Sequence, residues 1–303
     1  MQFEHSGILV IDKPAGITSA NVVARVKELL EAKKVGHTGT LDPVATGILV
    51  CCINRATKLA RFFLHGNKKY EAVLCLGVET NTQDSTGTVT FTCDTVLFSE
   101  RKLRSVFKDF EGTIEQIPPV YSALKCKGTP LYKLARSGKP VQKPARHVTI
   151  FNIEILGIHP PLIHFSVSCS AGTYIRTLCA DIGKSLGCGG HLKELRRIQS
   201  GGFSIAEALK LSELEHLVLS EKISDRIISM SNALRDIPEH RVDTALEEKI
   251  MHGNIITKKD VTPAHTDISK GFIKIVNTKN DLIAILKHIK KSDKYGYCRV
   301  FNN

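Results

Sequence analysis

Gly36-His37-Thr38-Gly39-Thr40-Leu41-Asp42-Pro43-Val44-Ala45-Thr46-Gly47 is the stretch of sequence that decides the fold of this chain. It places one acidic residue, Asp42, in a turn rich in Gly, Thr and Pro. Pro43 disfavours a helical conformation at Asp42, and residues 48–53 form a continuous apolar run typical of a strand buried on both faces. An Asp before Pro is also an ordinary turn former. The pattern predicts a carboxylate on a rigid loop at the mouth of a buried strand, where catalytic groups are often found.

Composition and charge narrow the class of protein. The 303 residues favour about two domains. With 42 Lys and Arg against 30 Asp and Glu, the formal net charge is +12. A basic balance of this size predicts an anionic partner, and nucleic acid is the usual one. Because the basic residues are spread along the chain, the charge also fits a role in solubility alone.

The cysteines and the N-terminal sequence bear on the compartment. Nine cysteines are present without any C-x-x-C spacing, so we expect small core residues and neither a disulfide framework nor a zinc site. No apolar run approaches the roughly 18 residues that a membrane span needs, and residues 1–5 do not begin a signal peptide. We expect a cytoplasmic protein without a membrane partner.

Local patterns predict how the chain is organised. Residues 7–12 predict a strand, and alternation over residues 163–169 predicts another, followed by a helix that begins near Thr173. Arg176 lies in the first turn of that helix, off its apolar stripe, where it either points into a cleft or is a solvated surface residue. Composition changes near residue 236, and β-like runs follow at 272–276 and 282–286. We therefore predict domains at 1–235 and 236–303.

Taken together, these segments resemble the TruB family of pseudouridine synthases over residues 7–203. The matching pieces are Ile11-Asp12-Lys13-Pro14, the 36–47 loop, Ala56-Thr57-Lys58, Lys69-Tyr70, and residues 80–87, 116–125, 169–178 and 195–197. Two positions depart from the family pattern: Asn54 replaces a common Gly, and Asn81 replaces a common Asp. Asn tolerates positive φ better than other non-glycine residues, so we expect the turn at Asn54 to survive.

The resemblance implies an α+β fold in which a mixed, largely antiparallel sheet is flanked by helices. It also implies a small β-rich, PUA-like RNA-binding domain at the C-terminus, carried by residues 252–254 and by the β-like runs that end at residues 299–301. A generic β-rich appendage without RNA contact is the alternative for this segment.

The reaction implied by the resemblance is the isomerisation of uridine to pseudouridine in RNA, which needs no cofactor and no metal. Its catalytic residues are Asp42, Tyr70 and Arg176. Asp42 can attack C1′, abstract a sugar proton to give a glycal, or stabilise an oxocarbenium-like state, and the sequence leaves these three roles open. Arg176 is expected to pair with Asp42. Tyr70 is expected to stack on the flipped uracil and to accept or relay the C5 proton.

Further positions are matched to contacts with the RNA substrate. His37 is expected to fill the gap left by the flipped nucleotide, Tyr174 and Leu195 to contact the substrate, and Asp84 to be the polar contributor of its loop. The expected phosphate contacts are Lys13, Lys58, Lys125, Arg196 and Arg197.

The leading hypothesis is a stand-alone synthase for uridine 55 in the T arm of tRNA, monomeric and without an obligate protein partner. Three alternatives stay open: a guide-RNA-dependent enzyme of the same family, a non-catalytic RNA-binding or RNA-folding factor, and a basic metabolic enzyme without a nucleic-acid partner.

Overall fold

The computed structural model describes residues 3–261, 271–289 and 291–301. Its strands are β1 (Gly7–Lys13), β2 (Val35–His37), β3 (Thr46–Ile53), β4 (Lys68–Leu76), β5 (Val78–Thr80), β6 (Val89–Thr92), β7 (Gly112–Gln116), β8 (Lys125–Cys126), β9 (Thr129–Pro130), β10 (Arg146–His159), β11 (Leu162–Cys169), β12 (Gly190–Ser200), β13 (Phe203–Ser204), β14 (Ile228–Ser229), β15 (Glu239–Arg241), β16 (Ile256–Thr257), β17 (Phe272–Val276), β18 (Leu282–His288) and β19 (Lys294–Val300).

The helices are short. They are α1 (Ser19–Leu29), α2 (Ala60–Leu64), α3 (Glu100–Asp109), α4 (Leu131–Arg136), α5 (Ile175–Leu186), α6 (Leu211–Leu219), α7 (Met230–Ala233) and α8 (Thr244–Met251), with 3₁₀ turns at Asn54–Leu59, Ile205–Glu207 and Ile223–Arg226. Among the described residues, none of these helices has both the length and the apolar character needed to cross a membrane.

A large sheet organises most of the chain. Its strands lie in the order β14-β1-β3-β12-β4-β11-β10-β7, with β2 paired to β3 and β13 paired to β12. The pairings in this sheet are antiparallel except for β3 with β12, where Thr46 faces Arg196 and Gly47 faces Arg197. This parallel pairing places the start of β3, and with it the end of the Asp42 loop, beside the middle of β12.

The core explains the continuous apolar runs at residues 8–11 of β1 and 48–53 of β3. Ile48, Val50 and Cys52 of β3 pack into one cluster with residues of the C-terminal sheet, such as Ile285. Leu49 and the other alternate residues pack on the opposite face against α1 and α6. A strand alternates its side chains between the two faces of a sheet, so burial on both faces requires an unbroken apolar run. The predicted buried strand at 48–53 is confirmed.

A third cluster lies beneath the predicted cleft. Leu103 and Phe107 of α3 and Leu178 of α5 pack against Leu74 of β4 and Phe165 of β11. The start of α5, which carries Arg176, is thereby fixed against the sheet.

The C-terminal strands form a second sheet in the order β15-β17-β18-β19-β16. The predicted α+β class, with a large, mostly antiparallel sheet and a smaller β-rich C-terminal unit, is confirmed. The division at residue 235 stays a prediction, and residues 1–2 and 302–303, at the outer limits of the two predicted domains, lie outside the described residues. Residues 203–235 contain the short helices α6 and α7 and also β14, which pairs with β1 at the edge of the large sheet.

Candidate active site

The loop that carries Asp42 connects β2 to β3 and is held at several points. The Ser19 hydroxyl donates to the carbonyl of Leu41 at 3.0 Å and accepts from the backbone N–H of the same residue at 2.8 Å. The backbone N–H of Ala45 donates to the carbonyl of Asp42 at 3.1 Å, and Gly16 donates to the carbonyl of Pro43 at 2.8 Å. These bonds fix the backbone on both sides of the carboxylate, as the sequence predicts.

Lys13 binds the loop from the interior of the protein. Its side chain is fully buried, and Nζ donates to the carbonyls of Pro14 at 2.7 Å, Ile17 at 2.8 Å and Pro43 at 3.2 Å. Burial lowers the pKa of Lys13 to about 8, and the charge of Asp42 opposes this shift. The expectation that Lys13 contacts a phosphate is therefore wrong, because the ammonium group is enclosed and already donates to three carbonyls.

Arg197 of β12 ties the loop to the sheet. Only 2% of the residue is exposed. Its Nε and Nη2 donate to the carbonyl of Ile48 at 2.8 and 2.6 Å, and Nη2 also donates to the carbonyl of Gly39 at 3.1 Å. The expected role of Arg197 as a phosphate contact is corrected in the same way, since its guanidinium fastens backbone on both sides of Asp42.

Asp42 and Arg176 form the centre of the site. Arg176 Nε lies 2.9 Å from Asp42 Oδ2 in an ion pair whose N–H is not aligned for a hydrogen bond. Arg176 Nη1 donates to the carbonyl of Thr82 and Nη2 to the carbonyl of Tyr121, each at 2.8 Å. The Arg176 side chain is 4% exposed, while that of Asp42 is 36% exposed. A fixed, buried cation thus faces an accessible carboxylate, and the reading of Arg176 as a solvated surface residue is wrong.

Asp84 lies behind Arg176 and away from solvent. Its Oδ2 is 3.7 Å from Arg176 Nη1, and its Oδ1 accepts from the hydroxyls of Thr82 at 2.7 Å and Thr86 at 2.6 Å. The residue is 4% exposed. Asp84 therefore positions Arg176, and the prediction that it contacts RNA is corrected because both of its oxygens already face partners inside the protein.

Tyr70, Tyr174 and Leu195 line the same cleft as Asp42. Burial raises the pKa of Tyr70, with the nearby Arg197 opposing the shift, so the phenol stays protonated at neutral pH. Tyr174 is held through its backbone, where N–H donates to Gln116 Oε1 at 2.7 Å and the carbonyl accepts from Gln116 Nε2 at 3.0 Å. The structure brings these three predicted residues together with Asp42 and Arg176.

His37 lies at the end of β2, just before the loop. Its Nδ1 accepts from the backbone N–H of Gly39 at 3.3 Å. Burial, and then the charge of Arg197, lower the pKa of the imidazole, so it is neutral near pH 7. A neutral, half-buried ring at this position is better suited to occupy the space left by a flipped nucleotide than to make a charged contact.

Three remaining predicted cations lie outside the residues that line the cleft. Lys58 and Lys125 are exposed, on the 3₁₀ turn Asn54–Leu59 and on β8 respectively. Arg196 is bound by Asp12 through two contacts of 3.0 and 2.7 Å. Lys58 and Lys125 remain free to contact phosphates, whereas Arg196 already has a bidentate carboxylate partner.

Lys68, Ser122 and Arg146 line the cleft and were missed by the sequence reasoning. Lys68 is 7% exposed and donates to the carbonyls of Leu64 at 2.8 Å and Gly66 at 2.5 Å. Burial lowers its pKa to about 8. The period of two along β4 places Lys68 on the same face as Tyr70, which is the signal that could have found it. Ser122 and Arg146 carry no comparable local signal.

The cleft encloses about 390 Å³, the volume of a small-molecule pocket. Four cationic side chains among its described residues, Lys68, Arg146, Arg176 and Arg197, surround the single carboxylate of Asp42. Among the parts of the chain that the structure describes, no group of His, Cys, Asp or Glu is arranged to hold a metal ion. The arrangement can offer a nucleophile or base to a bound molecule and can stabilise negative charge that develops on it.

Two family models that match this chain and several known proteins that are similar to it represent pseudouridine synthases of one family. The model of the TruB family pseudouridylate synthase N-terminal domain matches residues 27–175, and that of the tRNA pseudouridylate synthase B C-terminal domain matches residues 176–237. The tRNA pseudouridine synthase B of Syntrophotalea carbinolica is 46% identical over 237 residues, covering 78% of this chain and 77% of the relative. That of Clostridium kluyveri is 42% identical over 279 residues, covering 92% and 94%.

A solved structure agrees at the level of the whole chain. A chain in the crystal structure of a Cbf5-Nop10-Gar1 complex superposes with a TM-score of 0.77 at 29% sequence identity, over 99% of this chain and 85% of the other. The relatives, the two family models and the site built around Asp42 lead to one conclusion. The chain belongs to the TruB family of pseudouridine synthases.

Proposed function

We propose that this protein converts uridine 55, in the T arm of tRNA, to pseudouridine without a cofactor. The observation that carries the proposal is the accessible carboxylate of Asp42, paired at 2.9 Å with the buried guanidinium of Arg176 in a cleft with excess positive charge. The relatives named tRNA pseudouridine synthase B support tRNA as the substrate.

The isomerisation exchanges one glycosidic bond for another. The bond between N1 and C1′ breaks, the uracil turns, C5 bonds to C1′, the proton on C5 leaves and N1 gains a proton. The base must first leave its stack, because its reacting atoms are otherwise inaccessible. Asp42 faces C1′ as nucleophile, as base toward the sugar or as a stabilising anion, and Arg176 orients the carboxylate in each case.

Tyr70 acts in the last steps of this reaction. Its ring lines the cleft, where it offers a face on which the flipped uracil stacks. Because burial raises its pKa, the hydroxyl does not act as a phenolate base at neutral pH. It takes the C5 proton only as it passes its own proton onward, which makes it a relay.

The proposal includes a monomer that works in the cytoplasm. Asp42, Tyr70 and Arg176 all come from one chain, which supports action without a second copy. The similar chain of known structure comes from a Cbf5-Nop10-Gar1 complex, which raises the alternative of an enzyme that works only with partner molecules. We expect this protein alone to modify a bare tRNA transcript, and activity only after adding further RNA or protein would favour the alternative.

Release of tritium from tRNA labelled at C5 of uridine tests the proposed function. We expect wild-type protein to release one equivalent per tRNA and Asp42→Asn to release none while binding tRNA with unchanged affinity. Mapping the modified position then tests uridine 55. Appreciable tritium release by purified Asp42→Asn would overturn the assignment of Asp42, and no release by the wild type would overturn the reaction.

A further inference from the structure

Three buried donors that lack a hydrogen-bond partner surround the candidate active site. They are Ser122 Oγ, Arg146 Nε and Arg176 Nε, and all three residues line the cleft of Asp42. Buried polar atoms in folded proteins nearly always have a partner, because an unpaired one loses its hydration without compensation. Arg176 Nε at least has the Asp42 carboxylate beside it. Ser122 and Arg146 have no such explanation within the described protein.

Ser122 is held close to the reacting centre. The preceding residue, Tyr121, accepts a hydrogen bond from Arg176 through its carbonyl, and the carbonyl of Ser122 itself accepts from the backbone N–H of Tyr132 at 3.0 Å. The residue is 3% exposed. Its backbone is thereby fixed beside the Asp42–Arg176 pair, and its buried hydroxyl has no hydrogen-bond partner among the described residues.

Arg146 is fixed next to another predicted substrate contact. Its Nη2 donates to the carbonyl of Gly172, and its Cζ lies 4.8 Å from the centre of the Tyr174 ring. These contacts use one end of the guanidinium and one of its faces, and they leave Nε unpaired. Arg146 thus adds a positive charge to the cleft, where Asp42 is already paired with Arg176.

The chemistry of the proposed reaction creates an anion that needs such donors. When the N1–C1′ bond breaks, its electron pair stays on N1, so the uracil departs as an anion with charge shared by its carbonyl oxygens. This holds for each of the three roles open to Asp42. The anion must stay in the cleft while it turns, until C5 bonds to C1′, the C5 proton leaves and N1 is protonated.

We propose that Ser122 and Arg146 form a subsite for the detached uracil anion, donating hydrogen bonds to its oxygens while it turns. The proposal rests on the proposed function of the same cleft. Donors that are fixed before the charge appears are effective because they need no reorganisation during the reaction.

Ser122→Ala separates this role from a structural one. Loss of a donor to an anion is expected to lower the single-turnover rate of tritium release about 10- to 100-fold, with tRNA affinity unchanged. Because the hydroxyl has no protein partner to lose, the melting temperature is expected to stay the same or rise. A residue with only a structural role gives the opposite result, a lower melting temperature with a normal rate. Ser105→Ala, on the exposed face of α3, is the matched control.

Arg146 is tested through the leaving base. Fluorine at C5 makes N1 of uracil more acidic and so stabilises the departing anion. We expect Arg146→Gln to slow cleavage of the N1–C1′ bond of uridine by about 10-fold or more. With 5-fluorouridine at the same position, the factor by which the variant slows cleavage is expected to be severalfold smaller. Cleavage is measured by digesting the tRNA to nucleosides after a single turnover. Arg146→Lys is expected to recover part of the rate, and Arg101→Gln on α3 is the control.

The outcomes distinguish this inference from the proposed function. Active wild type and inactive Asp42→Asn, together with normal rates for Ser122→Ala and Arg146→Gln, would overturn the subsite and leave the reaction intact. If Arg146→Gln lowered the rate by the same factor on uridine and on 5-fluorouridine, the assignment of Arg146 as a donor to the uracil anion would be overturned. Wild-type protein that releases no tritium from tRNA would overturn both.

Discussion

At the scale of single residues, Tyr70 shows how burial selects one function of a side chain. The residue is 8% exposed, and its raised pKa keeps the proton on the hydroxyl at neutral pH. Its ring lines the cleft together with Leu195. The ring and the hydroxyl therefore make separable contributions, one to holding the base and one to moving a proton.

Tyr70→Phe separates these contributions. The ring is retained, so we expect tRNA affinity to change by no more than about twofold, while loss of the relay lowers the rate of tritium release about 10²- to 10⁴-fold. Single-turnover kinetics with C5-tritiated tRNA measure the rate. Tyr132→Phe, which lies outside the cleft lining, is the control. An unchanged rate for Tyr70→Phe would exclude the hydroxyl as an essential proton carrier.

The sequence predicts which residues form the centre of the site. It does not predict whether a basic side chain faces a phosphate or binds carbonyls inside the protein. Asp42 is marked by its own turn, and the structure confirms the expected pairing with Arg176. Lys13 and Arg197 are basic residues on strands β1 and β12, and the local sequence does not distinguish a phosphate contact from a buried cation that binds carbonyls. The deciding partner of Arg197 is the carbonyl of Ile48, 149 residues away in sequence, and no local pattern reports such a distance.

At the scale of elements, the contact between β3 and β12 sets the position of the catalytic loop. Gly47, which faces Arg197 in this contact, has a φ of 98°, and a Cβ atom there would clash with the carbonyl oxygen of Arg197. Close approach of the two strands thus depends on the absence of a side chain at this position. At the predicted turn of Asn54, φ is 51°, which confirms that Asn serves there in place of Gly.

Gly47→Ala is expected to push β3 and β12 apart. We expect the free energy of unfolding to fall by about 2–4 kcal/mol, measured by urea denaturation, with loss of activity. Gly128→Ala is the matched control, because Gly128 also has a positive φ of 84° but open space around it. That variant bears only the conformational cost, about 1–2 kcal/mol. Equal losses in the two variants would argue against the strand contact as the cause.

In the C-terminal sheet, Asp260 joins α8 to β16. Its Oδ1 accepts from Lys249 Nζ at 2.7 Å, and its Oδ2 accepts from the backbone N–H and the hydroxyl of Thr257 at 2.7 and 2.8 Å. The hydrogen bond from Lys249, followed by those from Thr257, lowers the pKa of Asp260 to about 2. A carboxylate with a lowered pKa stabilises the fold above its ordinary pKa and loses that effect as pH falls through the lowered value.

Asp260→Ala is therefore expected to lower stability at neutral pH but not in strong acid. Because the side chain is partly exposed, we expect a loss of about 1 kcal/mol at pH 7. The difference from wild type should shrink as pH falls from about 4 to about 2. Urea denaturation across this range measures it, with the exposed Asp94→Ala as control. A difference that is constant with pH would contradict the ion pair as its source.

At the scale of the whole molecule, the charge of +12 is divided between two uses. Part of it is enclosed around Asp42, as in Lys68 and Arg197, where it makes the cleft positively charged. Another part is exposed, as in Lys58 and Lys125, and is available to the phosphates of tRNA. The exposed part makes binding depend on salt.

The affinity for tRNA is expected to fall as salt rises, and the slope of log affinity against log salt counts the phosphate contacts. Lys125→Gln should reduce the magnitude of that slope by about 1, whereas Lys13→Gln should leave it unchanged because the ammonium group of Lys13 is enclosed. Lys102→Gln, an exposed residue of α3, is the control. Filter binding between about 50 and 300 mM salt, over which the Debye length falls from about 14 to about 6 Å, measures the slope. A smaller slope for Lys13→Gln would restore its assignment as a phosphate contact.

The arrangement of strands marks the limit of sequence reasoning for the fold. Individual strands such as β1, β3 and β11 follow from their apolar or alternating patterns. The insertion of β12 between β3 and β4 does not, because residues 190–200 find both partners far away in the chain. Ser122 and Arg146 reach the cleft through other long-range contacts, from Arg176 to the carbonyl of Tyr121 and from Arg146 to the carbonyl of Gly172. Their place in the site therefore becomes visible only in the folded molecule.

The dependence of the 36–47 loop on Arg197 also has a consequence for synthesis. The loop is made early, but the guanidinium that fastens its two sides is added about 150 residues later, which at ordinary translation rates is a delay of about 10–30 s. Until β12 has left the ribosome, the nascent chain carries Asp42 without the part of its support that Arg197 supplies. We therefore expect the site around Asp42 to be complete only after about two thirds of the chain has been translated, and a nascent chain that ends before Arg197 to be inactive toward tRNA.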